Sequence, residues 1–415
     1  MTDKRRVVIT GLGALTPLGL SMAETWERLC RGESGIGPIT LFEARDLPVR
    51  IAGEVKGFDP LNYLDRRTAR RTSRGAQLAL AAAQAAITDS GLDIAAIDSD
   101  RLGVSIGTGV GGLDKTIEGL ESIAAGTTRA NPFGIVSSLS NMPAALISAR
   151  CKAQGPTSTC VTACASGAQA IGEAAEIIRR GWAEVMIAGG TDALILRASI
   201  VGFNAMGGLS KRNDEPAQAS RPFDAERDGL VLSEGSAIAI LEELSGAIRR
   251  GARIYAEVLG YASTSDAYNV ASPQPNGQGA ARAMQCAIER AGLAPKAIGY
   301  IHAHGTATKA NDAAETRAIK SVFGDWAHSI PVSSIKSMIG HPMGASGAIG
   351  VAVGAKVIAD GCIPPTINHA TPDPECDLDY VPNVARKAQV EAVLINAFGF
   401  GGQNACVVIR KTPWV

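Results

Sequence analysis

Residues 157–167, TSTCVTACASG, contain the cysteine that is best placed for chemistry, Cys164. A run rich in β-formers leads up to Cys164, and apolar residues then recur at the spacing of one helix face: Ala168, Ile171, Ala175 and Ile178. Cys164 is therefore predicted to lie at a strand-to-helix turn. There the helix N-terminus stabilises a thiolate, and the cysteine N–H can donate to an oxyanion. A buried structural cysteine stays open as the alternative, and it is the role we expect for Cys160.

Two imidazoles and a lysine occur in polar, glycine-rich surroundings later in the chain. His302 and His304 alternate at the end of an apolar, strand-like run. Lys336 and His341 lie in residues 333–347, SSIKSMIGHPMGASG, before glycines and a predicted helix. Such groups in loops indicate a functional site. The HxH pattern also occurs in metal sites, but no cluster of acidic ligands accompanies it, and we predict no metal.

A glycine-rich stretch, Gly107 to Gly112, matches the GxGxxG pattern of dinucleotide-binding loops. No strand ending in Asp or Glu follows about 20 residues later, as such a site requires. We therefore expect these glycines to let a loop pass close to a buried surface instead.

Composition excludes several classes of protein. The 415 residues include 40 basic and 40 acidic side chains, so the summed electrostatic field is weak and bulk nucleic-acid binding is not expected. Eight cysteines are scattered without a CxxC pair, which predicts free thiols in a reducing cytoplasm. No run reaches the roughly 18 apolar residues of a membrane span, and the strongest, residues 345–357, contains Gly and Lys356. The glycines and proline of residues 11–19 favour a strand and a turn over a signal peptide.

Alternating strand-like and helix-like segments predict an α/β fold with a buried sheet. We expect strands at residues 7–10, 102–106, 157–162 and 185–188, and helices at 78–87 and 168–178. A strand pair around 183–190 and 236–241 is repeated near 391–396 and 404–409, which indicates two copies of one unit. The first copy would contain an insertion at residues 191–235. The boundary near residues 251–257 divides the chain into domains 1–255 and 256–415.

Several longer stretches resemble the β-ketoacyl-(acyl carrier protein) synthases of the elongating type. They are VVITGLGALTPLG, TACASGA, VMIAGGTDA, RPFDAERDGLVLSEG, HAHGTAT with NDAAE, KSMIGHPMGASG and NAFGFGGQN, and the resemblance runs essentially end to end. It implies the thiolase fold, in which two related halves form five layers, αβαβα, and the protein is a dimer.

The resemblance also implies roles for individual residues. Cys164 would carry the acyl chain, and His304 and His341 would promote decarboxylation of the malonyl thioester. Lys336 matches the lysine that orders the site, and Glu315 matches its structural acid, although a carboxylate on a helix face is the alternative.

Further residues of the site follow from the same resemblance. Phe400 matches the gating aromatic whose N–H completes the oxyanion hole. Thr306 and Thr308 would support the active site, while Val110 and Phe400 would line the acyl pocket. The substrates are carried on the phosphopantetheine of acyl carrier protein, so no cofactor is expected.

Some residues depart from the family pattern. Ala307 replaces a serine of the usual HGTST, residues 269–271 read Asn-Val-Ala, and Gln403 replaces the threonine of GGTN. These changes affect how the pantetheine arm is held, and they suit a polyketide or polyene pathway as well as fatty acid synthesis.

Two other functions fit the sequence less well than the synthase. A degradative thiolase would need a second cysteine in the loop at residues 398–404, which has none. A non-catalytic chain-length subunit would lack the nucleophile, which is present. Either a homodimer or a heterodimer with such a subunit remains open.

A basic segment is the predicted docking site for the acidic carrier protein. If residues 65–74 form one helix, Arg66, Arg70 and Arg74 share a face. Arg67 and Arg71 lie beside them, and the resemblance adds Arg129. A solvated helix start is the alternative interpretation.

Overall fold

The computed structural model of the protein describes residues 5–127 and 131–412. Its strands are β1 (Val7–Leu15), β2 (Ile36–Pro38), β3 (Ile51–Gly53), β4 (Leu102–Gly107), β5 (Thr157–Cys160), β6 (Val185–Ala193), β7 (Glu234–Glu243), β8 (Ala256–Ser265), β9 (Tyr300–His302), β10 (Val332–Ser333), β11 (Cys362–Ile363), β12 (Arg386–Lys387), β13 (Ala392–Gly399) and β14 (Gln403–Arg410). Its helices are α1 (Met22–Cys30), α2 (Arg66–Arg70), α3 (Arg74–Ser90), α4 (Leu113–Ala124), α5 (Gly134–Ser138), α6 (Met142–Cys151), α7 (Ser166–Arg179), α8 (Arg197–Ala205), α9 (Leu244–Arg249), α10 (Gln278–Arg290), α11 (Lys309–Phe323), α12 (Lys336–Ile339) and α13 (Ser346–Asp360).

One mixed sheet contains ten of these strands in the order β10, β9, β13, β14, β8, β1, β7, β6, β4, β5. In the first half β4 is parallel to β5 and β6, β6 is antiparallel to β7, and β7 is antiparallel to β1. The second half repeats this pattern, with β9 parallel to β10 and β13, β13 antiparallel to β14, and β14 antiparallel to β8. The halves meet where β1 pairs with β8, at Val8 opposite Glu257. The predicted duplication is confirmed.

Helices α7 and α13 pack together between the two halves of the sheet. Helix α7 contacts β4 and β6 on one side and β8 and β14 on the other, and α13 contacts β7 and β13. On the outer faces α3 covers β1, β6 and β7, while α10 covers β8 and β14. This is the predicted five-layer αβαβα order.

Most of the predicted elements lie where the sequence pattern indicated. The predicted helices fall within α3 and α7, and the strands at 7–10, 102–106 and 185–188 fall within β1, β4 and β6. The strand at 157–162 ends earlier, at Cys160, because the N–H of Thr162 bonds the Ser166 hydroxyl instead of a neighbouring strand. Few aromatic residues are present, and small residues allow close packing in their place. At Gly172, for example, a Cβ atom would lie only 2.2 Å from the ring of Tyr261, so no larger residue fits there.

The insertion in the first half is confirmed with narrower bounds. Residues 194–233 separate β6 from β7 and contain α8, whereas only Phe400–Gly402 separates β13 from β14. The predicted domain boundary at 255/256 falls between α9 and β8, and it stays a prediction.

One helical segment of the described chain, Met343–Asp360, has the length and apolar composition of a membrane span. It contains four glycines, Lys356 and Asp360, so it is not an unbroken apolar run. The segment consists of α13 and the turn before it, and 83% of it is buried inside the protein. Its apolar character therefore reflects its position in the core.

Candidate active site

Cys164 lies in a short 3-10 turn, Ala163–Ala165, directly before α7. The predicted strand-to-helix turn is confirmed. Ala163 has a φ of +49°, which alanine rarely adopts, and the Ser166 hydroxyl donates to its carbonyl at 2.6 Å. A Cβ at Gly107 would lie 2.3 Å from the backbone of Ser166, so the glycine-rich loop passes close beneath this turn, as expected.

The Cys164 sulfur and two imidazoles lie close together in the wall of one cavity. His341 Nε2 lies 3.1 Å from Cys164 Sγ, and the rings of His304 and His341 are 5.4 Å apart with their planes at 82°. Donor atoms of the three side chains lie within 4.8 Å of one another, and all three residues are buried. The cysteine and histidines that the sequence predicted are therefore brought together.

Burial decides the protonation states of these groups. It raises the pKa of the Cys164 thiol to about 12, although the nearby Lys336 ammonium opposes the rise. Burial therefore works against the thiolate that the helix N-terminus is expected to stabilise. Burial, with Lys336 as a second cause, also lowers the pKa of His304 and His341 well below the usual value. At neutral pH the site contains a thiol and two neutral imidazoles.

The backbone of His304 is held from both sides. Glu315 accepts the N–H groups of His304 and Gly305, each at 2.8 Å, and the Nδ2 of Asn396 at 3.0 Å. Lys336 donates its ammonium to the carbonyl oxygen of His304. Since these contacts fix the peptide on either side of the ring, Glu315 and Lys336 orient His304.

Both of these charged side chains are themselves buried. Burial lowers the pKa of Lys336 to about 8, partly opposed by the charge of Glu315. Burial likewise raises the pKa of Glu315, partly opposed by the N–H of Gly305. Lys336 therefore stays cationic at neutral pH.

Two backbone donors lie beside the nucleophile. The backbone N–H groups of Phe400 and of Cys164 itself favour the thiolate and lower the pKa of the thiol, against the larger effect of burial. Phe400 is followed by Gly401 and Gly402, whose φ angles are +80° and +69°. The backbone after Phe400 thus adopts a conformation that favours glycine.

The cavity above Cys164 has a volume of about 300 Å³. Thr306 and Thr308 line it, and their hydroxyls bond each other at 2.9 Å. Ala271, one of the departures from the family pattern, also lines the cavity. A second departure, Ala307, is fully buried with a φ of +66° and is not part of the cavity wall.

Comparison with known families decides the classification. The model of the β-ketoacyl synthase N-terminal domain matches residues 4–247, and that of the C-terminal domain matches residues 255–370. The chain belongs to the β-ketoacyl synthase family. A 3-oxoacyl-[acyl-carrier-protein] synthase 2 of Synechocystis sp. is 49% identical over 411 residues, which cover 99% of each chain.

Solved ketosynthases share this fold over the whole chain. One, of a type II polyketide synthase, was determined with its acyl-carrier protein and bound to the hexaketide; it is 36% identical, with a TM-score of 0.91, over 99% of this chain and 100% of that one. The ishigamide ketosynthase/chain length factor is 36% identical, with a TM-score of 0.93 and the same coverage. The predicted thiolase-like fold class is confirmed.

Val110, the residue predicted to line the acyl pocket, is half-buried. It packs in the hydrophobic cluster that contains Cys164, Phe203 and Phe400. It does not line the cavity itself. Its assignment to the acyl pocket therefore stays a prediction that this packing favours.

The basic segment is not one helix, so the predicted shared face is wrong. Helix α2 ends at Arg70, and α3 starts at Arg74 with Ser73 as its N-cap. Arg74 forms a two-point ion pair with buried Glu234, with both N···O distances 2.6 Å. The Arg71 guanidinium lies 3.9 Å from the centre of the Phe133 ring. Three arginines of α2 remain exposed, namely Arg66, Arg67 and Arg70, and Arg129 lies outside the described residues.

Sequence reasoning did not single out three buried residues that hold this site together. Asn396 bonds Glu315, and Asp312 accepts the N–H of Thr306 at 3.0 Å. Asp192 accepts backbone N–H groups from two loops next to the active site. The stretches NDAAE and VMIAGGTDA contained the two aspartates, but nothing local shows what their carboxylates would bind.

Proposed function

We propose that the protein is a 3-oxoacyl-[acyl-carrier-protein] synthase that extends an acyl chain by two carbons. The substrates would be an acyl chain and malonyl-acyl carrier protein, joined in a decarboxylative Claisen condensation. The observation that carries this proposal is the 3.1 Å contact of Cys164 Sγ with His341 Nε2, beside His304, at the end of a cavity. The synthase 2 relative at 49% identity supports it.

In the first step Cys164 takes the acyl chain. The resting thiol must lose its proton as sulfur attacks the thioester carbonyl, and the neutral His341 Nε2 is in reach to accept it. The same proton then passes to the departing pantetheine sulfur. Covalent capture splits a difficult condensation into two easier steps.

Ser346 suits His341 to both of its proposed tasks. Its hydroxyl lies 3.4 Å from His341 Nδ1, and a hydroxyl can either accept from that nitrogen or donate to it. When the hydroxyl accepts a hydrogen from Nδ1, Nε2 has no hydrogen and can accept a proton. When the hydroxyl donates to Nδ1, Nε2 carries the hydrogen and can donate it. Ser346 is thus compatible with both tautomers.

In the second step the malonyl thioester loses carbon dioxide and becomes an enolate. Donation from His304 and His341 to the thioester oxygen stabilises the negative charge that develops there. The enolate carbon attacks the acyl thioester on Cys164, and the N–H groups of Cys164 and Phe400 can donate to the resulting oxyanion. Cleavage of the carbon–sulfur bond releases the 3-oxoacyl product, and the sulfur regains a proton from solvent.

The substrates would arrive on a carrier protein, with no separate cofactor. The exposed arginines of α2, Arg66, Arg67 and Arg70, form the proposed contact for an acidic carrier. Arg74 is left out because it is paired with Glu234. Thr306 and Thr308 would contact the pantetheine arm in the cavity.

We further propose that the chain pairs with a ketosynthase-type partner along β5. This strand is the outermost of its half of the sheet, and Val161 just after it is 52% exposed. Ile135 and Val136 of α5 also expose apolar surface. The partner is either a second copy of this chain or a homologous chain-length subunit. The native mass of the purified complex distinguishes these two partners.

The eight free thiols favour a cytoplasmic location.

A condensation assay tests the catalytic proposal. With acyl- and malonyl-carrier protein, the wild type should release carbon dioxide and form 3-oxoacyl product. Cys164→Ala should abolish product formation while circular dichroism stays unchanged, because the substitution leaves little cavity. Cys160→Ala is the matched control and should stay active. Product formation by Cys164→Ala at the wild-type rate would refute the nucleophile assignment.

A further inference from the structure

Asp192 is a fully buried carboxylate at the end of β6, next to the active site. Its Oδ2 accepts the N–H of Gly109 at 2.8 Å and that of Gly344 at 2.6 Å. Its Oδ1 accepts the hydroxyl of Thr108 at 2.7 Å. One side chain therefore binds two loops from opposite halves of the molecule.

Each of these loops carries a group of the proposed reaction. Gly109 directly precedes Val110 of the proposed acyl pocket, and Gly344 follows His341 by three residues. The carbonyl of Thr108 also accepts the hydroxyl of Ser166 at 3.1 Å. Through Ser166 the network reaches the turn that presents Cys164.

The duplication explains why these loops meet at this carboxylate. Residues 163–167 read Ala-Cys-Ala-Ser-Gly, and residues 343–347 read Met-Gly-Ala-Ser-Gly. Both form a 3-10 turn before a central helix, and the first contains Cys164 where the second contains Gly344. Asp192 thus bonds the N–H of the residue that corresponds to the nucleophile.

The contact allows little displacement. A Cβ at Gly344 would lie 2.4 Å from the nitrogen of Gly109 and 2.6 Å from Asp192 Oδ2. A Cβ at Gly109 would lie 2.9 Å from the same oxygen. Because the glycine backbones touch the carboxylate directly, a change at Asp192 moves both loops.

We propose that Asp192 is a positioning residue that fixes His341 relative to Cys164 and holds the Val110 loop; this rests on the proposed function. It touches no substrate. It sets where the proton acceptor lies relative to the sulfur and how closely the loop packs against the bound chain. Displacements of about 1 Å in such contacts lower turnover by about 100-fold.

Asp192→Asn is the sharpest perturbation because it preserves shape. If the amide oxygen stays with the two glycine N–H groups, the amide nitrogen faces Thr108. The Thr108 hydroxyl already accepts the N–H of Gly111 at 3.0 Å, so its own hydrogen would then lose its acceptor. The neutral amide oxygen also accepts the N–H groups of Gly109 and Gly344 more weakly than a carboxylate does. The substitution therefore loosens both loops without creating a cavity.

Asp224→Asn is the matched control. Asp224 is also fully buried, and it accepts the backbone N–H groups of Ala370 and Thr371 at 2.7 and 2.6 Å. It likewise bonds loop backbone elsewhere in the fold, and Arg221 Nη1 lies 3.6 Å from its Oδ1. Asp224→Asn should therefore lose at least as much thermal stability as Asp192→Asn, which separates positioning from folding.

The experiment measures kcat, KM for carrier substrates and product chain lengths. Asp192→Asn should lower kcat by about 10- to 100-fold at unchanged KM and change the chain-length distribution. Asp224→Asn should retain the wild-type kcat and lengths. The role of Asp192 would be overturned if the two variants had the same kcat per folded molecule and the same product chain lengths.

Two additions keep the outcomes distinct. If Asp192→Asn does not fold, Thr108→Val replaces it, because it removes the hydroxyl that bonds Asp192 and Gly111 and keeps the carboxylate. A changed chain-length distribution in Thr108→Val supports the proposal, and wild-type kcat and lengths overturn it. Absence of an acyl adduct on wild-type Cys164 would refute the proposed function itself.

Discussion

The ion pair between Arg74 and Glu234 gives a prediction that separates folding from carrier docking. Arg74 donates through Nε and Nη2 to the two oxygens of Glu234, at 2.6 Å each. The Glu234 side chain is 0% exposed and that of Arg74 is 26% exposed. Glu234 also accepts the N–H of Val55 at 2.9 Å. Arg74→Ala would therefore leave a buried carboxylate with one remaining partner.

The structure sets the expected magnitude. Removing one member of a buried ion pair costs about 3–5 kcal/mol. Because Arg74 is about a quarter exposed and the Val55 N–H stays in place, we expect the lower end, about 3 kcal/mol. Glu234→Gln should cost less than Arg74→Ala, since a neutral amide needs no counter-charge.

Urea denaturation provides the assay, with Arg67→Ala on exposed α2 as the control. Arg74→Ala should lower the free energy of unfolding by about 3 kcal/mol and Arg67→Ala by less than about 0.5 kcal/mol. Arg74→Ala should also lose turnover equally on carrier substrate and on a short acyl-pantetheine mimic. The reasoning would be refuted if Arg74→Ala kept the wild-type free energy of unfolding and lost turnover only on carrier substrate. Arg74 would then be assigned to carrier docking.

Three further predictions follow from the site. The double change Arg67→Glu, Arg70→Glu should weaken use of carrier protein at low salt, lose most of that effect at high salt, and barely change turnover of the mimic. Val110→Trp should shorten the products, because it fills the apolar space beside Cys164. Turnover should fall as pH rises through about 8, where Lys336 loses its charge. The unfolded chain keeps this proton up to about 10.5, so the contribution of Lys336 to stability rises with pH between those values.

Each of these three has a clear contrary result. A salt-independent loss in the double arginine variant would mean that α2 acts on the fold. Unchanged product lengths would exclude Val110 from the pocket. A rate that stays constant from pH 7 to 9.5 would show that the charge of Lys336 is not required.

Local sequence patterns predicted the parts of the site that local structure determines. The approach to Cys164 and the 3, 4, 3 spacing after it predicted a turn before a helix, and α7 begins at Ser166. The repeated strand pairs predicted the duplication. The N-cap residues Asp65 and Ser73 are also a local signal, since each marks the start of a separate helix in the basic segment.

Long-range contacts account for what the sequence could not predict. Arg74 is paired with a residue 160 positions away, and Asp192 bonds Gly344 across 152 positions. The pKa of Cys164 depends mainly on burial by the whole surrounding structure. Neither partner nor burial can be read from the local pattern.

Intact mass after incubation with acyl-carrier protein tests the central claim most directly. The wild type should gain the mass of one acyl group, peptide mapping should locate it on Cys164, and malonyl-carrier protein should then remove it as 3-oxoacyl product. His341→Ala should slow formation of the adduct, because the thiol loses the base 3.1 Å away. A wild type that gains no acyl group, or gains it at a different cysteine, would contradict the account.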